Sequence, residues 1–339
     1  MKLFIIFIAT YFIINGCFCI KHTQVKMNID YQHNIAPSLE SKLIQSSMGL
    51  LGLKKSLEKK MITNSFVKEP AKPTKSLLRN YNIEENEQNG RKVWLISPKT
   101  IKSNVVILYL HGGAYMANIT YLHWSFIEQL IAKTNATIVV PDYPLAPESV
   151  CIETYDFMAE LYQQLIAEYT AKRIIIMGDS AGGGLALGFV QQLRDEKKML
   201  PEQIIIFSPW LDLTMDNSNI ALIDEKDKLL SISGLKNAGL KYAGNLDLKD
   251  YRLSPIYGDI TRLCTISIFT GTNDILNADA QKCKQILKDK LLDFNYFEYP
   301  EMFHDWVIIS SLKETQDVIS QVNKLTNGFE INLIKEEDI

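Results

Sequence analysis

Residues 178–182 read Gly178-Asp179-Ser180-Ala181-Gly182, between the apolar run 173–177 and Gly183-Gly184-Leu185-Ala186-Leu187. A buried strand that passes straight into a helix leaves no room for side chains on the flanks of the turn, which accounts for glycine at 178 and 182. The serine hydroxyl then projects above the sheet instead of packing beneath it. This nucleophile elbow constrains the chain to strands that feed helices, and it points to covalent chemistry at Ser180.

The rest of the chain supports that architecture. Strands are predicted at 92–97, 104–110, 136–140, 173–177, 203–207, 266–270 and 294–299, and helices at 121–133, 150–169, 182–197, 278–291 and 306–325. Strands separated by helices imply right-handed crossovers and a mostly parallel sheet covered by helices. The segment 104–110 is almost wholly apolar, as the middle of such a sheet requires. Residues 20–90 carry no strong strand: 39–48 and 50–66 have helical spacing, 68–75 with Pro70 and Pro73 reads as a connector, and the polar, acidic 82–89 reads as a turn. The stretch 212–262 breaks the alternation, with one helix expected at 232–242. It reads as an insertion that forms a helical cap together with the N-terminal region. The expected organisation is a signal peptide or anchor at 1–19, a helical region at 20–90, a catalytic domain at 91–325 and a tail at 326–339.

Lys2 precedes the apolar run 3–14, a signal-like pattern at the extreme terminus. The stretch 3–20 is 18 residues, at the lower edge of what spans a bilayer. Ile14-Asn15-Gly16-Cys17 loosely resembles a lipoprotein processing box with Cys17 as the lipidated residue, and a buried core helix is the bland alternative. The expectation is an exported or lumenal protein, either secreted or held at a membrane by an uncleaved anchor or by lipidation. A formal charge of −3, from 36 basic and 39 acidic residues, gives no basic surface for nucleic acid. Cys151, Cys264 and Cys283 read as small buried hydrophobes. The five histidines have no zinc-ligand spacing, and no metal or organic cofactor is expected of a site that supplies its own nucleophile, base and charge stabilisation.

A serine hydroxyl needs a base, and His304 stands just past the last apolar strand. Asp274 follows the strand 266–270 through Gly271-Thr272-Asn273 and is the carboxylate expected to orient it. Asp305, Asp279 and Glu301 compete for that role, although the Asp305 side chain, next to His304 in the chain, is expected to point elsewhere. Asp274 also has a bland reading as a cap for the helix near Ala278. The order Ser180, Asp274, His304 is the one associated with a hydrolase elbow on a sheet. His111-Gly112-Gly113-Ala114-Tyr115 follows the strand 104–110, and the Gly112, Gly113 and Ala181 amides are the expected oxyanion donors. Asp179 is expected to make structural hydrogen bonds within the elbow. Tyr115, Trp210, Leu211, Phe303 and Trp306 either line an acyl or alcohol pocket or fill the core.

Taken with Asp142-Tyr143-Pro144-Leu145-Ala146-Pro147-Glu148 and Ser208-Pro209-Trp210-Leu211-Asp212, these motifs resemble the hormone-sensitive-lipase-like branch of the α/β-hydrolases. That branch includes bacterial carboxylesterases and arylacetamide deacetylases, and the likeness runs over residues 90–325. The resemblance implies an eight-stranded sheet with the second strand antiparallel, a helical cap, and a Ser180–His304–Asp274 triad with an HGG oxyanion loop. It further implies that His111 supports that loop and that 142–148 is a structural turn. The family often has an aspartate where this chain has Ala278, with Asp279 one residue later. The activity expected is cofactor-free hydrolysis of small to medium uncharged esters through an acyl-enzyme. The alternatives are an amidase or deacetylase using the same residues, and a non-catalytic binding protein on the same fold.

Overall fold

Nine strands form one sheet in the computed structural model, which describes residues 28–327 apart from 101 and 171. The N-terminal run at 1–19, with Cys17, and the tail beyond 327 lie outside the described residues. In chain order the strands are β1 (Ile29–Gln32), β2 (Tyr81–Gln88), β3 (Arg91–Pro98), β4 (Val105–Leu110), β5 (Thr137–Pro141), β6 (Arg173–Asp179), β7 (Gln203–Phe207), β8 (Thr265–Gly271) and β9 (Phe294–Tyr299). Their order across the sheet is β1-β9-β8-β7-β6-β4-β5-β3-β2. Only β3 runs against its neighbours; every other pairing is parallel. Every residue of β4, β5 and β7 is buried, which is why these strands read as unbroken apolar runs.

Strands β2 to β9 match the expected eight-stranded sheet with an antiparallel second strand, and β1 is an addition. The segment 20–90 is therefore not free of strands. β1 is four residues long and half polar, too short to carry a pattern, and it is held by its surroundings. It pairs with β9, Asn295 Oδ1 accepts from the Ile29 amide, and Asp30 is salt-bridged to Lys284 and Lys288. The segment 82–89, expected to turn, is the edge strand β2 followed by the actual turn at Asn89-Gly90, both with positive φ. Its acidic residues face solvent, as an edge strand tolerates, and they hid the strand signal. The Asn-Gly pair was the hairpin signal.

The described helices are α1 (Leu39–Leu50), α2 (Leu53–Thr63), α3 (Lys75–Asn80), α4 (Tyr121–Thr134), α5 (Cys151–Glu168), α6 (Ser180–Asp195), α7 (Ile220–Ile223), α8 (Ile232–Ala243), α9 (Asn277–Asp289) and α10 (Lys313–Asn327). α4 and α10 cover one face of the sheet, over Ile107, Ile175 and Phe269; α5, α6 and α9 cover the other, over Leu108, Ile176 and Ile268. The expected closing helix 306–325 is split into a short 3-10 turn, Trp306–Ile308, and α10. α2 packs on α8. Lys241 Nζ donates to the Met61 and Ile62 carbonyls at 2.7 Å, Ser233 Oγ donates to Glu58, and Met61 lies against Gly234. Among the described residues no helix is long and apolar enough to cross a membrane.

Candidate active site

The ends of β4, β6, β8 and β9 gather on one edge of the sheet. At the end of β6 the chain turns within one residue, and Ser180 takes a left-handed φ of 50°. The turn closes tightly: a Cβ on Gly178 would lie 2.5 Å from the Gly182 carbonyl oxygen, and a Cβ on Gly182 would collide with the Leu110 carbonyl. Glycine is required at both flanks, and the surrounding sheet sustains the strained serine.

The three predicted side chains meet. His304 Nε2 lies 2.9 Å from Ser180 Oγ, and His304 Nδ1 lies 2.9 Å from Asp274 Oδ2. The other Asp274 oxygen accepts the Leu276 amide at 2.9 Å. The Asp274 carboxylate thus closes the turn ahead of α9 with one oxygen and meets His304 with the other; it does not cap the helix, whose N-cap is Leu276. Burial works against an imidazolium here, but the Asp274 and Asp305 carboxylates outweigh it and hold His304 well above 6.5. Of the competing acids, Asp279 accepts instead from Asn217, and Glu301 is exposed with its backbone bound to Thr272. Asp305 does not point elsewhere: its Oδ2 lies 3.1 Å from His304 Nε2. A left-handed φ of 55° at Asp305 turns the side chain back.

The oxyanion loop differs in one amide from the expectation. The Gly112 N–H is already engaged, donating to Asp179 Oδ2 at 2.8 Å, so it is not a free donor. The Gly113 and Ala114 amides donate to no group among the described residues, and Ala181 lies in the first turn of α6, where amides lack upstream partners. Gly113, Ala114 and Tyr115 have φ of 119°, 53° and 59°, a left-handed run that turns the amides off the line of β4. Gly112 still has to be glycine, because a Cβ there would strike Asp179. Asp179 ties the loop down, since its carboxylate also accepts from Tyr109 at 2.6 Å and contacts His123 Nε2 at 3.2 Å. His111 supports the loop and is no base. Its Nδ1 lies 2.7 Å from the Gly112 carbonyl, its ring stacks on Tyr143, and burial and then His123 push it down to about 4.

The five aromatic and aliphatic pocket candidates do not form one wall. Tyr115, Trp210 and Leu211 lie in the core layer beneath α5 and α6, with Tyr115 stacked on Tyr242 at 3.8 Å. Phe303 and Trp306 lie in the opposite layer. All five are buried, and bulk apolar character reads the same for core and pocket. Of the cysteines, Cys151 and Cys283 are buried and Cys264 is partly so. The sequence reading missed Asp227, in the insertion, whose Oδ2 accepts the Ile275 amide beside the triad acid at 3.0 Å. It also missed His123 and Tyr109. These contacts join residues 48 or more positions apart, with no local motif to mark them.

The model of the alpha/beta hydrolase fold family matches residues 107–308, from β4 to the 3-10 turn after His304. The chain belongs to this α/β-hydrolase family. Among its relatives, an esterase from Acinetobacter venetianus is 27% identical over 67% of this chain and 76% of its own length. An acetyl-hydrolase from Streptomyces hygroscopicus is 30% identical over 59% of this chain and 67% of its own. In fold it is similar to the crystal structure of an esterase from the bacterial hormone-sensitive lipase family, with a TM-score of 0.74, 22% identity, and coverage of 86% of this chain and 98% of that one. This α/β-hydrolase is a carboxylesterase-like hydrolase.

Proposed function

We propose that this hydrolase cleaves short-chain, uncharged carboxylic esters in two steps at Ser180. The observation that carries the reading is the unbroken relay from Ser180 Oγ through His304 to Asp274, each contact 2.9 Å. Ser180 attacks the ester carbonyl as its proton passes to His304 Nε2, and Asp274 keeps Nδ1 protonated and the ring aligned. The negative charge on the carbonyl oxygen falls to the Gly113, Ala114 and Ala181 amides, and one such donor contributes about 3 kcal/mol. His304 then hands its proton to the departing alcohol. Water repeats the sequence and releases the acid.

A short acyl group is supported by two observations. Ser180 is only 5% exposed, and a relative carries the name acetyl-hydrolase. In this reading α1, α2 and α8 form the cap, and the apolar N-terminal run directs the chain to export or a membrane.

The test is a series of p-nitrophenyl esters from acetyl to dodecanoyl beside p-nitroacetanilide. The reading expects kcat/KM to be highest for acetyl or butyryl, to fall with chain length, and to be far lower for the anilide. Faster turnover of the anilide would assign an amidase. Folded protein inert to every member would point to a binding protein.

A further inference from the structure

The nitrogen of His304 that faces the nucleophile has a second neighbour. Ser180 Oγ lies 2.9 Å from Nε2, and Asp305 Oδ2 lies 3.1 Å from the same atom. Asp305 is fixed there by its left-handed backbone and by its amide, which donates to Ser208 Oγ at 3.4 Å. Its other oxygen, Oδ1, is buried with no hydrogen-bond partner among the described residues. The side chain is 14% exposed, yet one oxygen sits on the histidine and the other is a buried atom without a protein partner, an arrangement that calls for a role beyond packing.

With Nδ1–H donated to Asp274, a neutral imidazole presents a lone pair at Nε2. A carboxylate oxygen at 3.1 Å from that lone pair needs a proton between them. Either Nε2–H points between Ser180 and Asp305, or Asp305 is a carboxylic acid that donates to Nε2. Both arrangements hold one proton more than the state in which His304 can accept from Ser180. We propose that Asp305 is a positioning residue that stabilises the proton on His304 Nε2 and so sets the acid limb of this enzyme's pH profile. The inference rests on the reading of Ser180 as nucleophile and His304 as base.

The free enzyme becomes competent when the extra proton leaves to solvent. During acylation the Ser180 proton moves to Nε2 as the Oγ–carbon bond forms, and Asp305 accepts a hydrogen bond from the new N–H. The leaving oxygen then takes that proton, and Asp305 ends as it began. The other ionisable groups that act on the pair are Asp274 and Asp227 beside the loop after β8, Asp179 at the end of β6, Tyr109 on β4 and His123 on α4. None of these reaches Nε2 among the hydrogen bonds and ion pairs of the described residues. Burial pushes Asp305 up to about 6, against the pull of His304.

The experiment follows the rate of Ser180 labelling by a fluorophosphonate, and of acetyl-ester hydrolysis, from acid to neutral pH in the wild type, Asp305→Asn and Asp305→Gly. Both substitutes tolerate the left-handed backbone. The wild type is expected to lose reactivity below an apparent pKa above 6.5. Both variants should move that limb downward by roughly 1 to 3 pH units, the effect of removing one adjacent opposite charge. A lower rate with an unmoved limb would overturn the proposal, since a merely structural residue scales the whole profile. Imidazole NMR gives a second readout: the His304 titration should move downward from the wild type to Asp305→Asn, and an unmoved titration would equally overturn the proposal. Wild-type protein that never labels at any pH would instead remove the Ser180 and His304 reading beneath it.

Discussion

Asp179 takes no part in bond breaking, yet three elements meet at its carboxylate: Tyr109 of β4, the Gly112 amide of the oxyanion loop and His123 of α4. It is fully buried at the last position of the strand that runs into Ser180. Burial alone would favour the neutral acid, but the facing His123 and the hydrogen bonds hold Asp179 below 3.8. Removing the carboxylate leaves a buried imidazole and a buried amide unmatched. Asp179→Ala should therefore destabilise the fold by about 3 to 5 kcal/mol in urea unfolding. Its residual folded fraction should show a lower kcat, because Gly113 and Ala114 lose the tether that aims them. Unchanged stability would mean that His123 and Gly112 find other partners at no cost. The geometry of the loop also explains why the donor assignment failed in the sequence. A run of glycines says that the backbone comes close, but which amide faces the substrate depends on where the chain turns, and Asp179 decides that from 67 residues away.

Elements were legible where their own residues bury them. β4, β6 and β8 could be read from apolar runs, and the turns after them carry three of the four parts of the candidate site. β1 and the mounting of α1 could not, because both are fixed by distant side chains. α1 is pinned at its start by Glu314 of α10, which accepts from the Ser38 amide at 2.6 Å and from Ser41 Oγ at 2.9 Å. Burial opposes the charge, but these hydrogen bonds hold Glu314 below its usual 4.5. A carboxylate with a depressed folded-state pKa contributes stability above 4.5, and that contribution disappears as the pH falls through the folded value. Glu314→Gln should thus make α1 more open to proteolysis near pH 7, with cleavage inside 39–50. The difference from wild type should close on acidification below about pH 4. A difference that persists in acid would assign the effect to shape and not to charge.

At the scale of the whole molecule, a serine hydrolase concentrates its signal. Chemistry needs a nucleophile on a strained turn, a base, an acid and a backbone cradle, and each leaves a short motif at a strand end. Ser180, His304 and Asp274 are separated by as many as 124 residues, and the sheet brings them together because parallel strands place all their exits on one edge. Asp227 left no such trace, since a lone aspartate in a loop reads as surface, and Asp305 was visible as a candidate acid but not its orientation, which its left-handed backbone sets. The aromatic residues Tyr115, Trp210 and Trp306 were equally silent on whether they serve substrate or core. The proposed chemistry therefore turns on one atom, the Oγ of Ser180. The most direct measurement is peptide mass spectrometry of the folded wild type and Ser180→Ala after exposure to a fluorophosphonate at neutral pH, with acetyl-ester turnover recorded on the same samples. One adduct is expected on the wild-type peptide containing Ser180 and none in the variant, whose turnover should be lower by at least about 10⁴-fold. An adduct elsewhere, or a variant that hydrolyses the ester as fast as wild type, would contradict the proposed chemistry.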